Sequence, residues 1–212
     1  MEEENPGMEF SLQDFAGFLV SRFDTQPEKT ATADVRFGAE ASEAQQIAYQ
    51  LDNNIGRLFV YMSRYAKSLI KKALEGTPLQ TGEDFTCLAI LLTHDHLSKS
   101  ELISRNLQEK TSGTEVIRRL LAAGLVTQWA DPDDKRGKRI AITDKGKGLL
   151  YEVFKDMSQV GKIVTGTLTP GEKLTLQYLL QKLENFHYHH HEQKTITSKT
   201  DLEKLGSQLP YK

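Results

Sequence analysis

The chain has 212 residues, 38% hydrophobic and 26% charged, the makeup of a globular protein able to bury a sizeable core in one moderate domain with appendages. No apolar run approaches the roughly 18–20 residues of a membrane span. The acidic start Met1-Glu2-Glu3-Glu4 is wrong for a secretory signal, and the single cysteine, Cys87, excludes an intrachain disulfide, so a cytoplasmic protein without membrane association is expected.

In chain order, residues 1–44 read as an N-terminal extension: a short amphipathic helix near 11–23, carrying Phe15, Phe18 and Leu19, and then a linker rich in Thr, Ala and Glu. A long helix is expected over about 45–75, where Ile47, Leu51, Ile55, Leu58, Met62, Tyr65 and Leu69 recur every three or four residues until Gly76 and Pro78 stop it. Thr81 and Asp84 have capping-box spacing before a second helix with Phe85, Leu88 and Leu92 on its apolar stripe. Ser98 and Glu101 repeat that spacing before a short helix, and Ser112 and Glu115 before another that ends at Gly124. Two helices closely joined, followed by a strand, resemble a helix-turn-helix. A hairpin comes next, with strands at 125–130 and 138–143 around the turn-forming loop 131–137. A fifth helix follows Thr143. A sixth starts at Thr169-Pro170 with Glu172 three residues after the cap, and its stripe is Leu176, Leu179, Leu180, Leu183 and Phe186. Residues 191–212 read as a polar tail. The expected fold class is therefore mainly α, with one hairpin.

The helix near 112–124 carries the functional signal. At 100° per residue, Thr114, Arg118, Ala122, Glu115 and Arg119 fall within an arc of about 140°, and Val116, Ile117, Leu120 and Leu121 lie opposite. One side belongs to a core. The other offers hydroxyls, a carboxylate and two guanidinium groups beside a small residue, groups that suit the major groove of DNA. On its own such a face is equally an ordinary solvated one with a Glu115–Arg119 pair. The hairpin tip adds Lys135, Arg136, Lys138 and Arg139, and a guanidinium on a narrow loop suits a minor groove. Asp131, Asp133 and Asp134 beside it look wrong for DNA unless they pin those basic groups. Charge agrees with a contact face: residues 98–149 hold 11 Lys/Arg against 7 Asp/Glu, while the whole chain has a net charge of −2.

Residues 79–146 resemble the winged helix of the MarR (multiple antibiotic resistance regulator) family. The stretch from Ile117 to Val126 (IRRLLAAGLV) and the wing from Asp131 to Gly146 (DPDDKRGKRIAITDKG) carry the likeness, and the order of flanking helices extends it to about 45–190. The resemblance implies a winged helix-turn-helix at 79–146, with long dimerisation helices at 45–75 and 144–190. It further implies a transcriptional regulator, mostly a repressor in this family. Such a protein binds a pseudo-palindromic operator in double-stranded DNA as a homodimer and is modulated by a small-molecule effector. The DNA-binding set it points to is Ser112, Thr114, Glu115, Arg118, Arg119, Lys135, Arg136 and Lys138, with Arg136 in the minor groove. Glu115 departs from the family, which often has a basic or polar reading residue there. No cofactor is expected and no enzymatic motif stands out. The histidines at 187 and 189–191, and at 94 and 96, lack partners at metal-ligand spacing, and Cys87 beside an apolar stripe reads as packing. The rival reading is a winged-helix interaction module that has lost DNA binding.

Overall fold

The computed structural model describes residues 43–48, 50–132, 134 and 137–209, so the extension read over residues 1–44 lies almost entirely outside the described residues. The described residues divide into two compact units, one ending at Gly166 and the other beginning at Thr167.

Within the first unit, α1 (Glu43–Ala48) and α2 (Leu51–Ala73) occupy the span expected to be one helix. The break falls at Gln50, which is extended (φ −55°, ψ 142°) and starts α2 by accepting from Asn54 N at 2.8 Å. Asn53 Nδ2 donates back to the Ile47 carbonyl at 3.0 Å, so a side chain closes the gap that the backbone ladder leaves. Periodicity alone misses such a break, because the apolar stripe keeps its phase across it. After α2 come α3 (Gly82–Leu92), a two-residue strand β1 (Leu97–Ser98), α4 (Lys99–Arg105), α5 (Lys110–Ala122), β2 (Val126–Ala130), β3 (Lys138–Ile142) and α6 (Asp144–Thr165). The three strands form an antiparallel sheet in the order β1-β3-β2, with Leu97 opposite Ile140 and Trp129 opposite Arg139.

The capping boxes read at Thr81/Asp84 and Ser98/Glu101 are both formed. The one read at Ser112/Glu115 is not. The helix starts earlier, with Glu109 as its cap, and the Ser112 hydroxyl donates to the Glu109 carbonyl at 3.1 Å. Nothing in Lys110-Thr111 opposes helix, so the first turn extends N-terminally and Glu115 is left to other partners.

One core holds the unit together. Leu88, Leu91, Leu102, Leu120, Leu125, Ile140 and Leu150 are buried to 2% exposure or less, so α3, α4, α5, the sheet and α6 share one apolar interior. Phe85 meets Phe154 of α6 edge-on at 5.4 Å.

In the second unit, α7 (Pro170–Glu192) starts on the capping box of Thr169 and Glu172, with Pro170 in the first turn where its missing N–H costs nothing. The tail read as polar holds α8 (Lys199–Gln208), started by Ser198, whose hydroxyl accepts from Asp201 N at 3.2 Å. Among the described residues no helix is long and apolar enough to cross a membrane.

Candidate nucleic-acid interface

The α4–α5 pair is held at close range by a missing side chain. A Cβ on Gly113 would lie 2.7 Å from Ile103 Cγ1 and 2.9 Å from its Cγ2, so only glycine lets the helices approach this closely. The turn between them is tied down by Asn106. Its amide donates to the Glu83 carbonyl at 3.0 Å and its oxygen accepts from Thr86 Oγ1 at 2.6 Å, which pins the turn to α3. Leu107 next to it adopts φ +51° with its side chain 60% exposed, a left-handed conformation that glycine holds more cheaply.

The far end of α5 is fastened as firmly. Gly124 closes the helix at φ +68°, and Leu125 N donates to the Leu120 carbonyl at 3.0 Å. The last carbonyls are then taken up by the start of α6: Lys145 Nζ donates to the Ala123 carbonyl at 2.8 Å and Thr143 Oγ1 to the Gly124 carbonyl at 2.8 Å. Thr143 N donates to the Leu125 carbonyl at 3.0 Å.

Between these anchors α5 buries Gly113, Val116, Ile117 and Leu120, as the helical period predicts. Its other face presents Ser112 and Arg118, both exposed, with Thr114 and Glu115 half-buried. Thr114 Oγ1 donates to the Lys110 carbonyl at 2.7 Å, which leaves its oxygen as an acceptor. Arg118 and Glu115 form a two-pronged pair, Nε to Oε2 at 2.8 Å and Nη2 to Oε1 at 2.7 Å. That hydrogen bond holds the Glu115 carboxyl below its ordinary range and raises Arg118.

Arg119, expected in the same set, is placed differently from Arg118. Its Nη2 lies 2.6 Å from Asp84 Oδ1, in a pair whose side chains are 19% and 1% exposed. The other Asp84 oxygen accepts from Gln80 N at 2.7 Å and Thr81 N at 3.1 Å, completing the cap of α3. Arg119 thus ties the reading helix to α3 and is withdrawn from the outer face. Removing one partner of a pair buried this far typically costs roughly 3–5 kcal/mol. The sequence placed Asp84 in a capping box but not in this pair, because the second oxygen's partner is 35 residues away.

On the hairpin, Asp131 does pin a basic group: Arg139 Nε lies 2.6 Å from Asp131 Oδ2, and both side chains are largely buried. The loop is closed by Asp131 N donating to the Gly137 carbonyl at 3.1 Å and Gly137 N to the Asp134 carbonyl at 2.8 Å. Lys138 is exposed at the start of β3, while Asp133, Lys135 and Arg136 lie outside the described residues.

The remaining candidates are accounted for by the fold. Cys87 is 1% exposed, and burial followed by the nearby Asp84 carboxylate pushes its thiol up to about 12, the opposite of an activated thiolate. His94 Nδ1 lies 2.9 Å from the Ile90 carbonyl, His190 Nδ1 lies 2.6 Å from Thr195 Oγ1, and His96 meets Trp129 edge-on. Among the described residues no group of three or more His, Cys, Asp or Glu is placed to hold a metal ion.

A profile of the MarR family matches residues 79–137, which run from the last residues before α3 into the wing. The HTH-type transcriptional repressor NicR of Pseudomonas putida is 30% identical over 106 residues, half of this chain and 67% of the relative. The chain belongs to the MarR family. Its winged helix is that of a transcriptional regulator, and MarR-family proteins are not enzymes. The crystal structure of a mutant MarR of E. coli in complex with operator DNA is 26% identical, with a TM-score of 0.54, and covers 63% of this MarR-family chain and 98% of that one. The fold is shared also by Bordetella bronchiseptica BpsR, whose DNA binding is regulated by 6-hydroxynicotinic acid, at 24% identity and a TM-score of 0.58 over 62% of this chain and 98% of that one.

Proposed function

We propose that this protein is a cytoplasmic repressor that binds a pseudo-palindromic operator as a homodimer and releases it when a small-molecule effector binds. The observation that carries the reading is α5 itself. It is anchored at both ends, buries one face in the core, and turns Ser112, Thr114, Glu115 and Arg118 outward beside a basic hairpin. Ser112, Thr114, Glu115 and Arg118 meet the major groove, and Lys135, Arg136 and Lys138 of the wing meet the adjacent minor groove and backbone.

The dimer is supported by apolar surface. Ile55, Leu58, Phe59 and Met62 of α2, and Leu176, Leu179, Leu180 and Leu183 of α7, are all 38% exposed or more. Contiguous apolar stripes of this kind exceed what monomers usually leave to solvent. A two-fold dimer places half-sites about one helical turn apart. For the effector, 6-hydroxynicotinic acid is the first compound to try, since it regulates a protein of this fold. Residues 45–190 act as the regulatory domain, and the N-terminal extension and tail as appendages.

The test is selection of genomic fragments by the pure protein, then titration of the selected duplex against salt with and without heteroaromatic acids, alongside light scattering. Expected are a mass of two chains, affinity that falls steeply as salt rises, and an Arg136→Ala variant weakened on all sequences alike, because the minor groove discriminates little beyond A·T against G·C. A clean monomer that binds tightly removes the dimer. No salt-dependent duplex binding at all favours the interaction-module reading.

A further inference from the structure

Four charged side chains form a line from the buried cap of α3 to the outer face of α5. Asp84 is fixed at one end, since its Oδ2 takes two backbone N–H groups and it is 1% exposed. Its Oδ1 holds Arg119 Nη2 at 2.6 Å. The other terminal nitrogen of Arg119 lies 3.8 Å from Glu115 Oε1, and that same Oε1 accepts from Arg118 Nη2 at 2.7 Å. Glu115 Oε1 is therefore the atom for which two guanidinium groups compete. Arg118 holds it at hydrogen-bond distance, while Arg119, engaged by Asp84, stays at 3.8 Å. Arg119 also has a donor to spare: its Nε is buried and without a hydrogen-bond partner among the described residues. Such a donor gains by moving onto a carboxylate if its present one is withdrawn.

We propose that Asp84 is a positioning residue that sets how much positive charge the reading helix presents to DNA, by holding Arg119 and so leaving Glu115 to neutralise Arg118. This rests on the DNA-binding reading above. With Asp84 in place, Arg118 arrives at DNA already paired, and each phosphate contact it makes must compete with Glu115. With the Asp84 charge removed, Arg119 takes Glu115, and Arg118 is released toward the phosphates. Asp84 touches no DNA in this scheme; it acts through two side chains.

The probe is a labelled duplex of randomised sequence, and the readout is the slope of log affinity against log salt, with far-UV circular dichroism to show that each variant is folded. Asp84→Asn steepens the slope by about 0.9 per reading helix, so for a dimer with two such helices its advantage over wild type shrinks about twelvefold for each fourfold rise in salt. Glu115→Gln does the same, because it releases Arg118 directly. The double variant Asp84→Asn/Glu115→Gln is no steeper than either alone, since there is one Arg118 to release. A purely structural role for Asp84 gives no such dependence on Glu115. Additive slopes, or a folded Asp84→Asn with the wild-type slope, overturn the proposal. The neutral pair Asp84→Asn/Arg119→Gln keeps a hydrogen bond in the buried position without charge, and keeps the proposal falsifiable even if Asp84→Asn alone does not fold. It retains the wild-type slope if Arg119 is no DNA contact. A slope shallower by about 0.9 makes Arg119 a phosphate ligand and overturns the proposal. A wild type that binds no duplex overturns this proposal and the DNA-binding reading together, whereas a salt-dependent wild type with additive variants overturns this one alone.

Discussion

Gly146 and Gly148 sit two residues apart in α6 and answer to opposite forces. A Cβ on Gly148 would meet nothing within 4 Å, so Gly148→Ala adds only helix propensity and stabilises by about 0.5–1 kcal/mol. A Cβ on Gly146 would lie 2.2 Å from the Leu125 carbonyl oxygen and 2.9 Å from Ile142 Cγ1. The first of these is backbone and cannot rotate away. Opening 2.2 Å to even 3.0 Å moves the start of α6 by 0.8 Å relative to the strand entry. That movement loads the bonds that cross the same gap, from Thr143 N to Leu125 O and from Thr143 Oγ1 to Gly124 O. Overpacking of this kind costs about 1–3 kcal/mol, and each strained hydrogen bond about 0.5–1.5 kcal/mol. After subtracting the propensity gain, Gly146→Ala is expected to destabilise by about 1–5 kcal/mol. Urea unfolding at one fixed protein concentration measures both variants, since an oligomer's midpoint depends on concentration. A Gly146→Ala protein as stable as Gly148→Ala would refute the reasoning, because it would mean that α6 and Leu125 do not approach as closely as the bonds between them imply.

Two further outcomes follow from single residues. Leu107→Gly is expected to raise stability by about 1 kcal/mol, seen as a higher urea midpoint, because it relieves a left-handed leucine whose side chain buries little. Cys87 makes stability pH-dependent on the alkaline side. The unfolded thiol ionises near 9.0 and the folded one holds its proton to about 12. Its contribution is full below pH 9 and is lost as pH climbs from there to about 12, so wild type should lose about 1.4 kcal/mol more than Cys87→Ala between pH 7 and pH 10. Equal losses would show that the thiol is not protected.

Much of the fold is legible in the sequence because its signals are local. Capping boxes at Thr81, Ser98 and Thr169 mark helix starts through side chains that bond a backbone group three residues on, and those boxes form as read. The apolar stripe of α5 is likewise set by the helical period of 3.6 residues. Where two local solutions compete, the sequence is ambiguous. Ser112 and Glu115 have capping spacing, yet the helix starts at Lys110, and the stripe from Ile47 to Leu69 conceals a break at Gln50.

By itself, then, the sequence determined the order of the main helices and the hairpin and the outward side of α5, since each depends on neighbours within about one helical turn or one strand pair. Only the tertiary structure decided which charges that side offers. Arg118 and Arg119 are adjacent and chemically identical, and the period places both on the polar arc. One stays at the surface with Glu115; the other turns inward to Asp84, 35 residues earlier. The physical reason is that a carboxylate sealed in the core at 1% exposure must be paired, and no local rule says which guanidinium the packing will bring to it.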